Sequence, residues 1–387
     1  MPRPEAFSPS LLPDYSGNGF VNLIASIVEA RGGAPRHAPL ACLPPRELAR
    51  ATNLILVIID GLGDSYLRAQ SGRGTLLKYR RGAISSVFPS TTTTAITAAF
   101  TGATPLEHGL TGWFTYFSEA ACVGAPLPFV RRGEKTPLGV APSRLFVEPS
   151  FFDGLREPTL VVTWNSIIDA TYNAFHCGSA RRLGYDNLEG FVAQAAAAVR
   201  SGPERKFIYA YWPEFDALSH RHGVGSPQVR DHFVALDEAL GRLLELLAGT
   251  DTAIVLTADH GFVDVPPEEA FELPTSLAAQ LRFPLCGERR VAFCHVRDTK
   301  SFTAEAKHYL GERADVRASG ELLEEGWFGH GRAHPRFAER IGDVAILMRG
   351  RGAIKDRVPG ERRHAMIGDH GGASEDEMRI PLIVATV

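Results

Sequence analysis

The chain has 387 residues, enough for one large domain or two ordinary ones with a sizeable core. Its 41 lysines and arginines nearly balance 44 aspartates and glutamates, and the resulting net charge of −3 excludes a broad nucleic-acid-binding face driven by bulk charge. Hydrophobic residues at 44% and charged residues at 22% exclude a chain that is disordered throughout. The five cysteines are scattered without a CxxC pair, which argues against a disulfide framework and a thiolate zinc site.

No targeting or membrane segment is evident. Residues 1–50 are rich in proline and glycine around one amphipathic stretch, residues 21–30, and are predicted to form an N-terminal arm without a secretory signal. The longest uncharged stretch, residues 82–106, is dense in serine and threonine and contains Pro89 and Pro105, so it is a poor spanning helix. We therefore expect a cytoplasmic protein that does not enter a membrane.

Four continuous aliphatic runs predict strands that are buried on both faces of a sheet. These runs are Asn53 to Ile59, Phe207 to Trp212, Thr252 to Ala258 and Ile380 to Ala385. The fourth contains Pro381, which cannot donate to a hydrogen-bonded ladder, so this strand is predicted at an edge of the sheet.

Helices are predicted between these strands. Residues 228–247 carry apolar side chains at helical spacing, and residues 188–200 are rich in alanine. Strands that alternate with helices predict an α/β fold built in layers. The less periodic residues, about 113–184 and 266–343, are interpreted as cap insertions in a single domain that spans residues 1–387.

Acidic residues and histidines follow the predicted strands, where ligands gather in open α/β sheets. They are Asp60, Asp216 with His220, Asp259 with His260, and His370 just before the last strand. Carboxylates and imidazoles suit a divalent ion such as zinc or manganese, and an (i, i+4) pair can converge on one ion from a single helical turn. Each residue alone is more often a helix cap or a hydrogen-bonded histidine. The convergence of four sets is what predicts a metal site.

A run of five hydroxyl side chains, Ser90 to Thr94, follows Pro89 and leads into an apolar stretch that ends at Gly102. Hydroxyls at the start of a helix lie beside free N–H donors that suit a phosphoryl oxygen. A threonine hydroxyl becomes a useful nucleophile when a cation stabilises its alkoxide. Simple capping of the helix by serine or threonine would explain one hydroxyl but not five.

In combination, these motifs resemble the alkaline phosphatase superfamily and, within it, the type I phosphodiesterase/nucleotide pyrophosphatase family. The residues that carry the resemblance follow the family's order: Ile59-Asp60-Gly61, Phe88-Pro89-Ser90-Thr91-Thr92, Pro105-Leu106-Glu107-His108-Gly109, Asp216 with His220, Ala258-Asp259-His260-Gly261 and Asp369-His370-Gly371. The resemblance implies an alkaline-phosphatase-like three-layer sandwich with a central, mostly parallel sheet and cap insertions. It also implies hydrolysis of a phosphodiester or phosphoanhydride bond in a small molecule or nucleotide, through a phosphothreonine intermediate.

The resemblance further implies two divalent metal ions, zinc or manganese. One would be held by Asp216, His220 and His370, and the other by Asp60, Asp259, His260 and the nucleophile. The nucleophile maps to Thr92, which is third after Pro89 and ten residues before Gly102, although Thr91 and Thr93 leave the register open. Animal members of the family carry an asparagine that helps to bind the phosphoryl oxygen. Trp113 stands at about that place here, so this donor is not assigned.

Three other functions compete with this interpretation. Cys42-Leu43-Pro44-Pro45-Arg46 matches the sulfatase signature CxPxR, but it lies upstream of Asp60, whereas a sulfatase nucleophile lies downstream of the first acidic strand. A phosphomonoesterase or phosphomutase would commonly need a cationic side chain for the extra charge of its substrate. No lysine or arginine occurs between Arg81 and Arg131, although Arg131 or Lys135 could reach in from a cap. A catalytically silent metal-binding protein is the third alternative.

Overall fold

The computed structural model describes residues 10–70, 74–361 and 366–387, and a seven-stranded sheet lies at its centre. The strands are β1 (Asn53–Ile59), β2 (Arg80–Ser85), β3 (Thr159–Trp164), β4 (Arg181–Tyr185), β5 (Lys206–Trp212), β6 (Thr252–Thr257) and β7 (Arg379–Thr386). Their order across the sheet is β2-β7-β6-β1-β5-β3-β4. All pairs from β6 to β4 are parallel, whereas β7 runs antiparallel to β2 and β6. The predicted α/β class with a mostly parallel central sheet is therefore confirmed.

Strand β1 lies in the middle of this sheet and pairs in parallel with β5 on one side and β6 on the other. Every residue of β1, β5 and β6 is buried, which explains why all three read as continuous apolar runs. The three strands predicted from these runs are confirmed, with ends that differ by one residue at most.

The prediction that the last aliphatic run forms an edge strand is wrong. Strand β7 lies second from the edge, between β2 and β6. Pro381 pairs with Ala83 of β2, whereas pairing with β6 begins only at Ile383, after an irregularity in the ladder. The proline is tolerated because its half of the strand has a hydrogen-bonded neighbour on one side only.

Helices flank the sheet and connect its strands. Their bounds are Phe20–Ala30, Pro45–Leu48, Asp64–Ala69, Thr75–Tyr79, Thr92–Thr101, Pro105–His108, Thr171–His176, Leu188–Val199, Glu214–His222, Pro227–Leu246, Thr275–Ala278, Thr299–Leu310, Ser319–Glu324, Phe337–Ile341 and Glu375–Met378. The two helices predicted between strands agree with Leu188–Val199 and Pro227–Leu246. Within the described ranges, no helix is both long enough and apolar enough to cross a bilayer.

Two insertions carry smaller sheets. The first holds the three-stranded antiparallel sheet of Thr115–Phe117, Cys122–Ala125 and Val130–Arg131. The second holds the four-stranded antiparallel sheet of Cys286–Gly287, Val291–Cys294, Val344–Met348 and Ala314–Ala318. Two short pairs, Val263–Asp264 with Gly368–Asp369 and Ala270–Glu272 with Ala353–Lys355, complete the strands.

The predicted limits of the insertions differ from these elements. Strand β3 and all but the last residue of strand β4 lie within residues 113–184, yet both strands belong to the central sheet. The second insertion continues beyond residue 343 to the strand Ala353–Lys355. Strand β4 lies at an edge of the sheet and contains two arginines, so it lacks the continuous apolar run that predicts the inner strands.

A buried ion pair joins the second insertion to the segment that precedes β7. The Arg290 guanidinium donates to Glu377 over 3.1 Å from Nε and 2.9 Å from Nη2, and the two side chains are at most 1% exposed. Glu377 also accepts the Gly372 N–H over 2.7 Å. This pair therefore fixes the loop that carries His370 against the insertion.

Replacing Arg290 should be strongly destabilising, because it leaves the Glu377 carboxylate buried without a counter-charge. We expect Arg290→Met to lower the free energy of unfolding by about 3–5 kcal/mol in urea titrations. Arg81→Met is a matched control, since Arg81 pairs with Glu47 over 2.7 Å while both side chains are about 40% exposed. Arg81→Met should lower the free energy of unfolding by less than about 1 kcal/mol. Equal losses in the two variants would contradict the anchoring role.

Candidate active site

The predicted metal-binding residues meet at the carboxyl ends of the three central strands. Asp60 directly follows β1, Asp259 and His260 follow β6, and Asp216 lies in the helix Glu214–His222 that follows β5. Because these strands are parallel neighbours, their ends bring residues separated by up to 200 positions to one edge. The loop before β7 adds His370 from the antiparallel side.

The first group consists of Asp216, His220 and His370, whose ligand atoms lie within 4.8 Å of one another. Asp216 Oδ1 is 3.4 Å from His220 Nε2 and 3.6 Å from His370 Nε2, and the two Nε2 atoms are 3.1 Å apart. The Nδ1 atoms lie 2.9 Å from the Gly368 carbonyl and 3.2 Å from the Ser90 carbonyl. If both Nδ1 atoms donate to these carbonyls, both Nε2 atoms present lone pairs to the site, as metal-ligating histidines do.

The second group consists of Asp60, Asp259 and His260, again within 4.8 Å. His260 Nε2 is 3.2 Å from Asp60 Oδ1 and 3.5 Å from Asp259 Oδ2, and its Nδ1 lies 3.1 Å from the Gly261 carbonyl. His260 Nε2 is also 4.0 Å from Asp216 Oδ1, so the two groups are contiguous.

The protonation states and unpaired oxygens of these two groups favour the binding of a cation. Burial and the neighbouring Asp216 raise the pKa of Asp60 well above its usual value, while burial and the neighbouring Asp60 raise the pKa of Asp259 to about 7. Burial lowers the pKa of both His260 and His370, which favours their neutral, ligating forms. Asp216 Oδ1 and Asp259 Oδ2 are buried without a hydrogen-bond partner. Unpaired carboxylate oxygens beside neutral imidazoles are the donor set that divalent cations take in proteins.

The hydroxyl run lies beside the second group. Thr91 occupies the N-cap position of the helix Thr92–Thr101 without a side-chain capping hydrogen bond, and Gly102, in the left-handed conformation (φ 65°), follows the helix. Thr92 Oγ1 lies 3.2 Å from His260 Nε2 and 3.4 Å from Asp60 Oδ1.

The other hydroxyls of the run face elsewhere. Ser90 donates to the Gly372 carbonyl, Thr91 donates to Glu288, and Thr94 donates to the Leu110 carbonyl. The Thr93 hydroxyl is buried without a partner. Of the five hydroxyl side chains, that of Thr92 is therefore the one that contacts the second group, through Asp60 and His260.

Sequence reasoning missed three side chains of the site. The Tyr211 hydroxyl donates a hydrogen bond to Asp60 Oδ2, and the Arg289 guanidinium pairs with Asp369 over 2.8 Å. Glu288 accepts hydrogen bonds from the Thr91 hydroxyl and from the Trp113 N–H, each over 2.6 Å. Tyr211 sits inside a buried strand, and the other two come from the second insertion, so no motif marked them. Cys42, the sulfatase-like cysteine, is exposed just before the helix Pro45–Leu48.

Comparisons with known proteins agree with this geometry. Residues 54–373 match the family model of type I phosphodiesterase/nucleotide pyrophosphatase. Murine ectonucleotide pyrophosphatase/phosphodiesterase 5 has a similar structure, with a TM-score of 0.64 at 16% identity over 85% of this chain and 87% of that chain. An inactive variant of the murine protein in complex with AMP gives a TM-score of 0.63 at 16% identity, over 85% and 87% of the two chains.

A phosphonoacetate hydrolase is comparably similar. The enzyme from Sinorhizobium meliloti 1021, in complex with phosphonoformate, has a TM-score of 0.63 at 18% identity over 85% of this chain and 89% of that chain. At such identities the solved structures support the fold alone. Among curated protein sequences there is no match.

Divalent ions should stabilise the folded chain. We expect zinc or manganese to raise the melting temperature of chelator-treated protein, because a ligand that binds only the folded state adds about 2.7 kcal/mol at a hundred times its Kd. The rise should be larger at pH 8 than at pH 5. Metal binding needs ionised carboxylates, and Asp259, with its pKa raised to about 7, must lose its proton.

His220→Ala and His222→Ala form a matched pair for this measurement. Both residues lie on the helix Glu214–His222, but only His220 belongs to a ligand group. The metal-induced rise should shrink in His220→Ala and persist in His222→Ala. A rise of the same size in both variants would show that the ions bind elsewhere.

Proposed function

Because this chain belongs to the type I phosphodiesterase/nucleotide pyrophosphatase family, we propose that it hydrolyses a phosphodiester or phosphoanhydride bond of a small molecule such as a nucleotide. The observation that carries the proposal is the Thr92 hydroxyl, 3.2 Å from His260 Nε2 and 3.4 Å from Asp60 Oδ1, at the start of a helix. The proposal is further supported by the closeness of this hydroxyl to two groups of carboxylate and imidazole side chains and to the first N–H groups of the helix, at one edge of the sheet.

Two divalent ions, zinc or manganese, are the proposed cofactors. Asp216, His220 and His370 would hold one, while Asp60, Asp259, His260 and Thr92 would hold the other. Such a pair of cations lowers the pKa of a hydroxyl and neutralises charge on phosphoryl oxygens. The contacts of the Nδ1 atoms of all three histidines with backbone carbonyls support this assignment, because they hold each ring with Nε2 toward the centre.

Thr92 is the proposed nucleophile. Its Oγ1 forms a bond to phosphorus while the bond from phosphorus to the leaving oxygen breaks, and the hydroxyl proton passes to the leaving group, which gives a phosphothreonine. Water then attacks the same phosphorus and the bond from phosphorus to Oγ1 breaks. The hydroxide of this water stays on the released phosphate monoester, and its proton restores the threonine hydroxyl. The first N–H groups of the helix Thr92–Thr101 would orient the phosphoryl oxygens during both steps.

The scarcity of cationic side chains near the nucleophile favours diesters over monoesters as substrates. The nucleophile segment brings no lysine or arginine between Arg81 and Arg131, and Arg131 donates to the Ala120 carbonyl within its own small sheet. The Arg289 guanidinium does lie near the site, but Asp369 pairs with it at 2.8 Å. A monoester dianion would therefore find little added positive charge beyond the metal ions.

Thr92→Ala should lower turnover by several orders of magnitude, because it removes the hydroxyl that forms the covalent intermediate. Metal content, measured by elemental analysis, should stay close to two ions per chain, since the six carboxylate and imidazole ligands remain. Thr92→Ser should retain measurable turnover. Thr93→Val is the matched control, because it replaces a neighbouring buried hydroxyl that has no partner. Normal turnover in Thr92→Ala together with loss of turnover in Thr93→Val would show that the nucleophile is Thr93 and not Thr92.

The enzyme should prefer bis(p-nitrophenyl) phosphate to p-nitrophenyl phosphate. The preference follows from the missing cationic side chain, and the measurement is the ratio of the two kcat/KM values with zinc or manganese present. A higher kcat/KM for the monoester would favour the phosphomonoesterase or phosphomutase alternative. Metal-loaded protein that cleaves neither compound, nor a dinucleotide, would favour a catalytically silent metal-binding protein.

A further inference from the structure

Glu288 brings a carboxylate from the second insertion to the hydroxyl run. It lies in the turn between the strands Cys286–Gly287 and Val291–Cys294. Its Oε1 accepts one hydrogen bond from the Thr91 hydroxyl and one from the Trp113 N–H, each over 2.6 Å. These two donors fix the carboxylate beside the residue that precedes the proposed nucleophile.

The other side of Glu288 packs on the loop that holds His370. Gly371 has a φ of +106°, and a Cβ atom built on it would lie 2.5 Å from Glu288 Cβ. The glutamate thus stands between Thr91 and Gly371, each adjacent to a residue of the proposed metal centre.

The charge of Glu288 has little compensation. Within the described part of the chain, no lysine, arginine or histidine forms an ion pair with it, and its neighbour Arg289 pairs with Asp369 instead. Both of its hydrogen bonds go to Oε1, and the residue remains partly exposed. Burial raises the pKa of the Glu288 carboxyl to about 7, so at pH 8 a substrate bound at Thr92 would meet a negative charge on this wall of the site.

We propose that Glu288 is a specificity-determining residue that selects against phosphomonoesters by charge repulsion. The inference rests on the proposed function. A monoester at pH 8 carries about two negative charges on its phosphoryl group, because its second pKa is about 6, whereas a diester carries one. A nearby carboxylate raises the energy of the dianion more than that of the monoanion. The site thus adds a repulsive element against the competing substrate.

Glu288→Gln tests this role because it keeps the shape of the side chain and removes its charge. We expect kcat/KM for p-nitrophenyl phosphate to rise about tenfold or more relative to kcat/KM for bis(p-nitrophenyl) phosphate at pH 8. Inorganic phosphate, a dianion at that pH, should bind the metal-loaded Glu288→Gln protein about tenfold more tightly in calorimetric titrations.

Two controls separate charge from structure. Glu288→Asp keeps the charge, so both the substrate ratio and the affinity for phosphate should stay close to those of the wild type. Glu238→Gln removes a charge from an exposed position on the helix Pro227–Leu246, and it should change neither quantity.

An unchanged substrate ratio and an unchanged phosphate affinity in Glu288→Gln would overturn the inference. The same holds if Glu288→Gln and Glu288→Asp slow both substrates equally, because that result would assign Glu288 a purely structural role. Failure of the wild type to cleave any diester would refute the proposed function instead. The affinity for phosphate would still report on the Glu288 charge in that case.

Discussion

The crowding of three carboxylates, the buried Asp60 and Asp259 and the partly buried Asp216, is the constraint on which the rest of the site depends. Groups of like charge at these distances cannot all ionise in a buried site unless a cation lies between them. The sheet imposes the crowding, since β1, β5 and β6 are adjacent and parallel and each is followed by one of these residues. The histidines and the Thr92 hydroxyl lie around these carboxylates, and this arrangement favours the binding of cations.

Much of this centre could be predicted because it obeys local rules. A strand buried on both faces must be apolar, and a polar residue directly after it must lie at the carboxyl edge, so Asp60 and Asp259 could be placed from their neighbours alone. His220 follows from helical spacing after Asp216. The position of β7 could not be found in the same way. A proline predicts that its strand lies at an edge of the sheet. In β7 only the half that contains Pro381 has a neighbour on one side alone, since pairing with β6 begins after the proline.

Glu288, Arg289 and Tyr211 mark the limit of such rules. The two charged residues reach the site from a hairpin turn of the second insertion, and nothing within their own neighbourhood of the sequence specifies what the insertion packs against. Tyr211 is one member of an apolar run in which alternate residues face opposite sides of the sheet. Which face meets Asp60 depends on the tertiary structure. The positions of Glu288, Arg289 and Tyr211 thus depend on long-range packing, while the positions of the proposed metal ligands depend on strand topology.

The place of β7 in the sheet has a consequence for synthesis of the protein. Residues 379–386 are translated after every other strand of the sheet, yet they lie between β2 and β6. Until they emerge from the ribosome, β6 has an unpaired side, and an open strand edge of this kind is a template for pairing with other chains. His370 is translated only slightly earlier, so the first ligand group and the sheet are completed late, one shortly after the other. Chaperone protection during translation would therefore matter more for this topology than for one whose last strand adds to an outer edge.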